Sequence, residues 1–411
     1  MTGLRVEIEP KAAGFDAGRL ERIDRHFTRY VDDGRLPGWS LAVTRGGQVV
    51  HVASAGSRDV EAGLPIEADT IFRIYSMTKP ITAVAALMLC EEGAFELKDP
   101  VADFIPAFGR TQVFRSGSSL SPATEAMTEP MRIWHLFTHT AGLTYGFHYG
   151  HPVDAMYRAA GFDFGTPDGL DLAACCEAWA GLPLVFQPGR EWNYSVATDV
   201  LGRVVELASG QSLDRFLSER IFEPLAMTDT RFSVPEADHH RLAALYVPGP
   251  EAGRAVRYDP IGDRALRPPD AWSGGGGLMS TASDYHRFTQ MLLGGGELDG
   301  VRLLSPRTVA SMASNHLPGG VDLEAIGRPL FAETTYDGVG FGLGVSVVID
   351  PVKHKVLSSA GSYGWGGAAS TAFWVDPAEQ LTALFFTQLL PSGTHAIRSQ
   401  FQQLVYQALV D

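Results

Sequence analysis

The sequence predicts an α/β protein of the α+β kind, in which an antiparallel sheet flanked by helices is built from both chain ends around a mostly helical insertion. Three observations predict it. Strand signals cluster before residue 75 and return only after residue 339, and the stretch between reads mainly as helix and loop. Hydrophobic residues make up 45% of the 411 positions and charged residues 19%, enough to bury a large core. The expected division is a sheet domain from 1–85 and 270–411 and a helical domain from 86–269.

Each element has its own justification. Residues 16–34 carry Leu20, Ile23, Phe27, Tyr30 and Val31 at helical spacing, with Gly34 as the stop. The stretches 39–44 and 48–53 flank Gly46-Gly47 and read as a β-hairpin. A short strand at 71–74 leads into a helix starting at Ser76 and running through the apolar stretch 80–90. The loops at 111–128 and 247–275 are rich in Ser, Gly, Pro and Arg and read as surface excursions. An apolar helix follows from Leu201. Strands are expected at 340–349, 370–375 and 381–386, and then a helix over 392–410 with Ile397, Phe401, Leu404, Val405 and Ala408 on one face. No internal repeat or low-complexity tract interrupts the chain.

Composition excludes several function classes. A net charge of −14 argues against a nucleic-acid or anionic-membrane partner, which needs a basic surface. No apolar run reaches the length of about eighteen residues that a membrane helix requires, since the longest stops at Glu91-Glu92. The first ten residues carry acids and no apolar segment of a secretory signal. Three cysteines, Cys90 and the neighbours Cys175-Cys176, have no framework spacing; they read as reduced thiols, and a cytoplasmic location is expected.

The most informative motif is Ser76-Met77-Thr78-Lys79, in a chain with only five lysines, at 11, 79, 98, 353 and 355. On a helix, positions i and i+3 share a face, so the Ser76 hydroxyl and the Lys79 amine can touch. A lysine at the head of an apolar run is costly to bury alone, and a buried lysine can help deprotonate a serine, a weak nucleophile by itself. A surface Ser and Lys at a helix start is the bland alternative. Tyr194 precedes a helix and can relay protons if the fold brings it near Ser76; alone, it reads as a core aromatic. The glycine-rich stretch 361–368, entering the strand at Ser370, would let backbone approach a ligand closely, or would simply be a tight turn. The aromatic segment 144–151, with Tyr145 and Phe147, suits a mobile wall of an apolar pocket, and equally a packed surface loop.

Other motifs carry less. His135 and His139 stand at i,i+4, but no Glu follows His135 as a zinc-peptidase helix requires, and no metal is expected. His239-His240 lies in a polar loop. A Gly-x-Ser-x-Gly elbow is absent; the nearest approach, Gly38-Trp39-Ser40-Leu41-Ala42, falls on a strand.

Taken in order, these segments resemble the serine β-lactamase and penicillin-binding-protein superfamily, and most closely its esterase branch, the family VIII carboxylesterases. The resemblance runs from Leu36-Pro37-Gly38 through Ser76-Met77-Thr78-Lys79, the stretch 136–143, Tyr194-Ser195-Val196, the stretches 223–227 and 275–282, and Trp365-Gly366-Gly367. It implies that Ser76 is the nucleophile, that Lys79 and Tyr194 move its proton, and that the backbone N–H groups of Ser76 and Ala368 form an oxyanion hole. With the aromatic segment facing Trp365, a cleft near Trp365, Gly366, Gly367, Tyr145 and Phe147 is expected to take a small-molecule ester with a short acyl chain and a fairly bulky alcohol, and no cofactor is expected. Where the family's Tyr-x-Asn ends in Asn this chain has Val196, and Trp365-Gly366-Gly367 replaces its Lys-Thr-Gly; both departures argue against lactamase or peptidase action. Acyl transfer to a small alcohol or amine, weak β-lactam opening and a non-catalytic binding role are the alternatives.

Overall fold

A computed structural model of the chain describes residues 3–250, 253–328 and 335–411. Eight antiparallel strands form the main sheet: β1 (Gly38–Arg45), β2 (Gln48–Asp59), β3 (Leu64–Pro65), β4 (Val339–Phe341), β5 (Ser346–Val348), β6 (Tyr363–Gly366), β7 (Ala372–Asp376) and β8 (Leu381–Phe386). Their spatial order is β4-β5-β6-β7-β8-β1-β2-β3. The two chain ends are therefore joined in the middle of the sheet, where β1 pairs with β8 in a register running from Ser40 opposite Phe386 to Arg45 opposite Leu381. This is the sheet built from both ends that the sequence predicts.

Seven helices matter below: α1 (Ala17–Asp32), α2 (Thr78–Glu91), α3 (Ile133–Phe137), α4 (Pro152–Ala159), α5 (Ala197–Ser209), α6 (Ala282–Leu293) and α7 (Ile397–Tyr406). Asp16 caps α1 by accepting the Arg19 N–H at 2.8 Å. The central strands β1, β7 and β8 are buried along nearly their whole length because both their faces are covered, and period-two alternation sorts their side chains. Leu41, Val43, Trp374, Ala383 and Phe385 pack with Phe27 of α1 and Phe401 of α7. On the other face Ala42, Phe373, Val375, Leu384 and Phe386 join a larger cluster containing α2, Leu201 of α5 and Tyr285 of α6.

Several local readings need correction. The apolar stretch 340–349 is a hairpin, β4 and β5, because Gly344 turns the chain at φ +89°, where its missing Cβ would strike Ala83. Residues 363–366 form the strand β6 and are paired with β7, although the glycines suggest a loop. The stretch 111–128 contains a hairpin of its own, Gln112–Gly117 with Pro122–Ala126, and another short pair, Tyr246–Pro248 with Ala255–Arg257, borders the 247–275 loop. The three cysteines are all free, and Cys175 and Cys176 are buried, where burial pushes their thiols up, Cys175 to about 12. No helix among the described residues is long and apolar enough to cross a membrane.

Candidate active site

Ser76 does not begin the helix but sits in the single 3₁₀ turn Tyr75–Met77 directly before α2. The chain reaches it through Tyr75 at φ +42°, a left-handed conformation that costs a non-glycine residue energy and is held only where its surroundings fix it. That bend, followed by one helical turn, brings Lys79 beneath Ser76: Lys79 Nζ lies 3.4 Å from Ser76 Oγ. Both side chains are buried, Lys79 at 1% exposure and Ser76 at 8%.

Tyr194 completes the group from the segment preceding α5, its hydroxyl donating to Ser76 Oγ at 2.5 Å. The segment is held against residues 139–144 by Asn193 N–H to the His139 carbonyl (3.0 Å), Asn193 Nδ2 to the Leu143 carbonyl (2.8 Å) and Val196 N–H to the Thr144 carbonyl (3.4 Å). The His-Thr-Ala-Gly-Leu segment is thus the bed on which Tyr194 lies. His139, in a left-handed conformation, sets its ring edge-on to Tyr194 at 5.0 Å and shares a hydrogen bond with Ser195 Oγ at 3.2 Å. Burial, with the Lys79 charge adding to it, holds its imidazole well below the usual range and so neutral.

His135 and His139 do not share a helical face, since α3 ends at Phe137. His135 accepts the Arg132 N–H at 2.9 Å and caps that helix, and among the described residues no cluster of His, Cys, Asp or Glu could hold a metal.

Lys79 Nζ has oxygen acceptors on three sides: Ser76 Oγ, Tyr145 Oη at 3.0 Å and the Gly275 carbonyl at 2.6 Å. The three protons of an ammonium match that set. Gly275 belongs to a glycine-rich loop laid along α2 by Thr82 Oγ1 donating to the Gly274 carbonyl (2.8 Å) and Leu278 N–H donating to Thr78 Oγ1 (3.1 Å). The buried Asp199 grips the same loop, accepting from Ser273 Oγ at 2.5 Å and Gly275 N at 3.0 Å. Burial raises its carboxyl, while the Lys79 charge and those hydrogen bonds pull the other way. Sequence reasoning passed over Asp199; a lone acid at the start of an apolar helix was the available signal, the same kind that singled out Lys79.

Ser76, Tyr194, Val196, Tyr145, Phe147 and Ala368 all line one cavity of about 550 Å³, walled further by Phe164, Phe232, Val247 and Leu390. The aromatic segment is tied down at several points. Asp154 of α4 accepts from Thr144 Oγ1 at its start and from the Gly150 and His151 N–H groups at its end, and His148 Nε2 lies 2.6 Å from the Tyr194 carbonyl. Ala368 lies in the turn between β6 and β7, which is closed by the N–H groups of Gly367 (to Thr371 O, 2.9 Å) and Ser370 (to Gly367 O, 3.0 Å), so the Ala368 N–H is not used in closing it. Trp365 is 3% exposed and lies behind Tyr194, with Nε1 3.4 Å from the Tyr194 hydroxyl and the rings 5.5 Å apart; it, Gly366 and Gly367 are not among the cavity's lining residues.

Residues 23–407 match the family described as Beta-lactamase. The chain belongs to the beta-lactamase family. Among curated members it is 39% identical to Protein Rv1367c of Mycobacterium tuberculosis, over 88% of each chain. It is 34% identical to Esterase EstB of Burkholderia gladioli, over 94% of this chain and 95% of that one. Among solved structures it is similar to EstCE1, a hydrolase with promiscuous acyltransferase activity, with a TM-score of 0.78 and 26% identity over 96% of this chain and 98% of the other. Within this beta-lactamase family, the sheet flanked by helices is the shared architecture.

Proposed function

We propose that the protein is a serine carboxylesterase that hydrolyses short-chain esters of small molecules through an acyl-enzyme on Ser76. The observation that carries this reading is the convergence on one buried oxygen: Tyr194 Oη 2.5 Å and Lys79 Nζ 3.4 Å from Ser76 Oγ, at the wall of an open, mostly apolar cavity. In the reactive state Lys79 and Tyr194 have together given up one proton from the ammonium and phenol described above. The Ser76 proton fills that vacancy as Oγ attacks the ester carbonyl, and it passes to the departing alkoxide when the tetrahedral intermediate collapses. Water repeats the cycle against the acyl-enzyme. The Ser76 and Ala368 N–H groups supply the oxyanion hole.

The cavity of about 550 Å³ leaves room for a short acyl chain together with a bulky alcohol. Tyr145 and Phe147 stack at 4.6 Å and form one wall, while Trp365 supports Tyr194 from behind. The relatives named as esterase and hydrolase support the same reading. The test is direct. Ser76→Ala should abolish both turnover of p-nitrophenyl butyrate and labelling by a fluorophosphonate, and labelling that persists elsewhere in the chain refutes the assignment.

The same cavity favours a second reading, because an acceptor alcohol fits beside the acyl group and can replace water in the second half-reaction. Added alcohols should then yield transfer product at the expense of free acid.

A further inference from the structure

We propose that Arg398 is a positioning residue that sharpens the oxyanion-hole amide of Ala368 from behind. The inference rests on the esterase reading above. Arg398, on α7, donates from Nη2 to the Gly367 carbonyl at 2.7 Å, and from Nη2 and Nε to the Thr371 carbonyl at 3.2 and 3.3 Å. It therefore grips both arms of the turn that carries Ala368.

The geometry does more than hold the turn. The Gly367 carbonyl and the Ala368 N–H belong to one peptide unit, which is trans, since the cis bond among the described residues is Leu390-Pro391. In a trans peptide the C=O and N–H point to opposite sides of a single delocalised group. The carbonyl is turned toward Arg398, so the N–H is turned away from it, and Ala368 lines the cavity together with Ser76. A hydrogen bond to a cation polarises its acceptor more than a neutral one does, and linked hydrogen bonds strengthen one another. The guanidinium therefore makes the Ala368 N–H a better donor to an oxyanion without touching the substrate.

This placement also gives Gly366 a reason. A Cβ at residue 366 would lie 2.3 Å from the Arg398 Cζ and 2.4 Å from Nε, so the strand must carry glycine there for the guanidinium to reach the turn. The cation that the family's triplet would present to the cavity is absent from Trp365-Gly366-Gly367, and here a cation stands on the far side of the same backbone. A second cavity of about 110 Å³ adjoins it, lined by Arg398, Trp365, Phe373 and Ser399, so small molecules can reach the guanidinium's position.

The experiment measures Arg398→Gln, Arg398→Lys, Arg398→Ala and Gly366→Ala with p-nitrophenyl butyrate and with phenylboronic acid, whose serine adduct is a tetrahedral boronate with one oxygen in the oxyanion hole. Removing a whole oxyanion donor costs about a hundredfold or more in kcat, so weakening one should lower kcat by about tenfold to a hundredfold in the Gln and Ala variants, with KM changed by about twofold or less. Boronate affinity should fall in parallel with kcat, Arg398→Lys should lose least, and millimolar guanidine should restore part of the Arg398→Ala rate. A Gln variant with wild-type kcat and boronate affinity overturns the proposal, as does a loss confined to KM. Should the Arg398 variants fail to fold, Gly366→Ala, which pushes the guanidinium off the turn, decides: a wild-type kcat there overturns it. Failure of the esterase reading is separate, because it would show as wild-type protein that a fluorophosphonate does not label at Ser76.

Discussion

Replacing Tyr194 by Phe removes one oxygen from the centre of the site and leaves the ring's packing in place. The ring keeps its contacts with His139 (5.0 Å), Tyr145 (5.4 Å), Trp365 (5.5 Å) and Trp192 (6.3 Å, stacked). What is lost includes the 2.5 Å bond to Ser76 and the acceptor for Trp365 Nε1 at 3.4 Å. Stranding that buried N–H costs about 1 kcal/mol, at the low end of the range because the bond is long. A fold of this size tolerates such a loss, so circular dichroism and the unfolding midpoint should stay near wild type. Activity should not. Loss of a positioned proton-transfer group lowers a rate by about 10²–10⁴, or about 3–5 kcal/mol of barrier. The fall should appear in kcat for p-nitrophenyl butyrate, and the single-turnover rate of acyl-enzyme formation should fall with it. If kcat/KM stays within about tenfold of wild type, or the loss lies wholly in KM, Tyr194 is not moving the proton.

Two further predictions follow from neighbouring features. Val196 lines the cavity but offers an amide no hydrogen bond, and Trp365-Gly366-Gly367 presents no cation to a carboxylate, so kcat/KM for nitrocefin should be lower than for p-nitrophenyl butyrate by about a hundredfold or more; comparable values would make the chain a true lactamase. Burial lowers the imidazoles of His135 and His286 from their ordinary 6.5 to about 4, so the unfolded chain takes up protons below pH 6.5 while the folded one resists until about 4. Stability should therefore rise with pH across that window and level off above it. His135, at 4% exposure, contributes up to about 3 kcal/mol of the difference, and urea midpoints for His135→Gln should show a shallower slope.

The parts of the site that were legible in the sequence are the local ones. Ser76 and Lys79 could be paired because a helical repeat joins residues three apart, even though the helix proper starts two residues later, at Thr78. Tyr194 was recognisable only through its motif, since nothing local says which distant serine a tyrosine will meet. The acceptors of Lys79 were hidden for a different reason: the Gly275 carbonyl is backbone and carries no side-chain signature. Arg398 was hidden too, because one arginine in an amphipathic helix carries no sign of the backbone carbonyls it will meet. For the fold, alternation and hairpin signals sufficed for β1, β2 and β8. They failed at 340–349, where Gly340, Gly342 and Gly344 alternate with Phe341, Leu343 and Val345 as in one long strand and hide the turn at Gly344, and at β6, where Gly366 makes room for a guanidinium at the expense of strand propensity.

The pairing of β1 with β8 has a consequence for how the molecule comes into being. Ser76 leaves the ribosome early, but the strand that staples the N-terminal hairpin into the sheet arrives more than three hundred residues after β1. Closing so long a loop is slow, and until Phe386 emerges β1 offers an unpaired apolar edge to any passing chain. The groups around Ser76 arrive one after another, Tyr194 midway, Gly275 later, the Ala368 turn and Arg398 almost last. On the proposed reading, a nascent chain therefore carries its serine for most of its synthesis without the surroundings that would make it reactive, and its β1 edge stays open through the same interval.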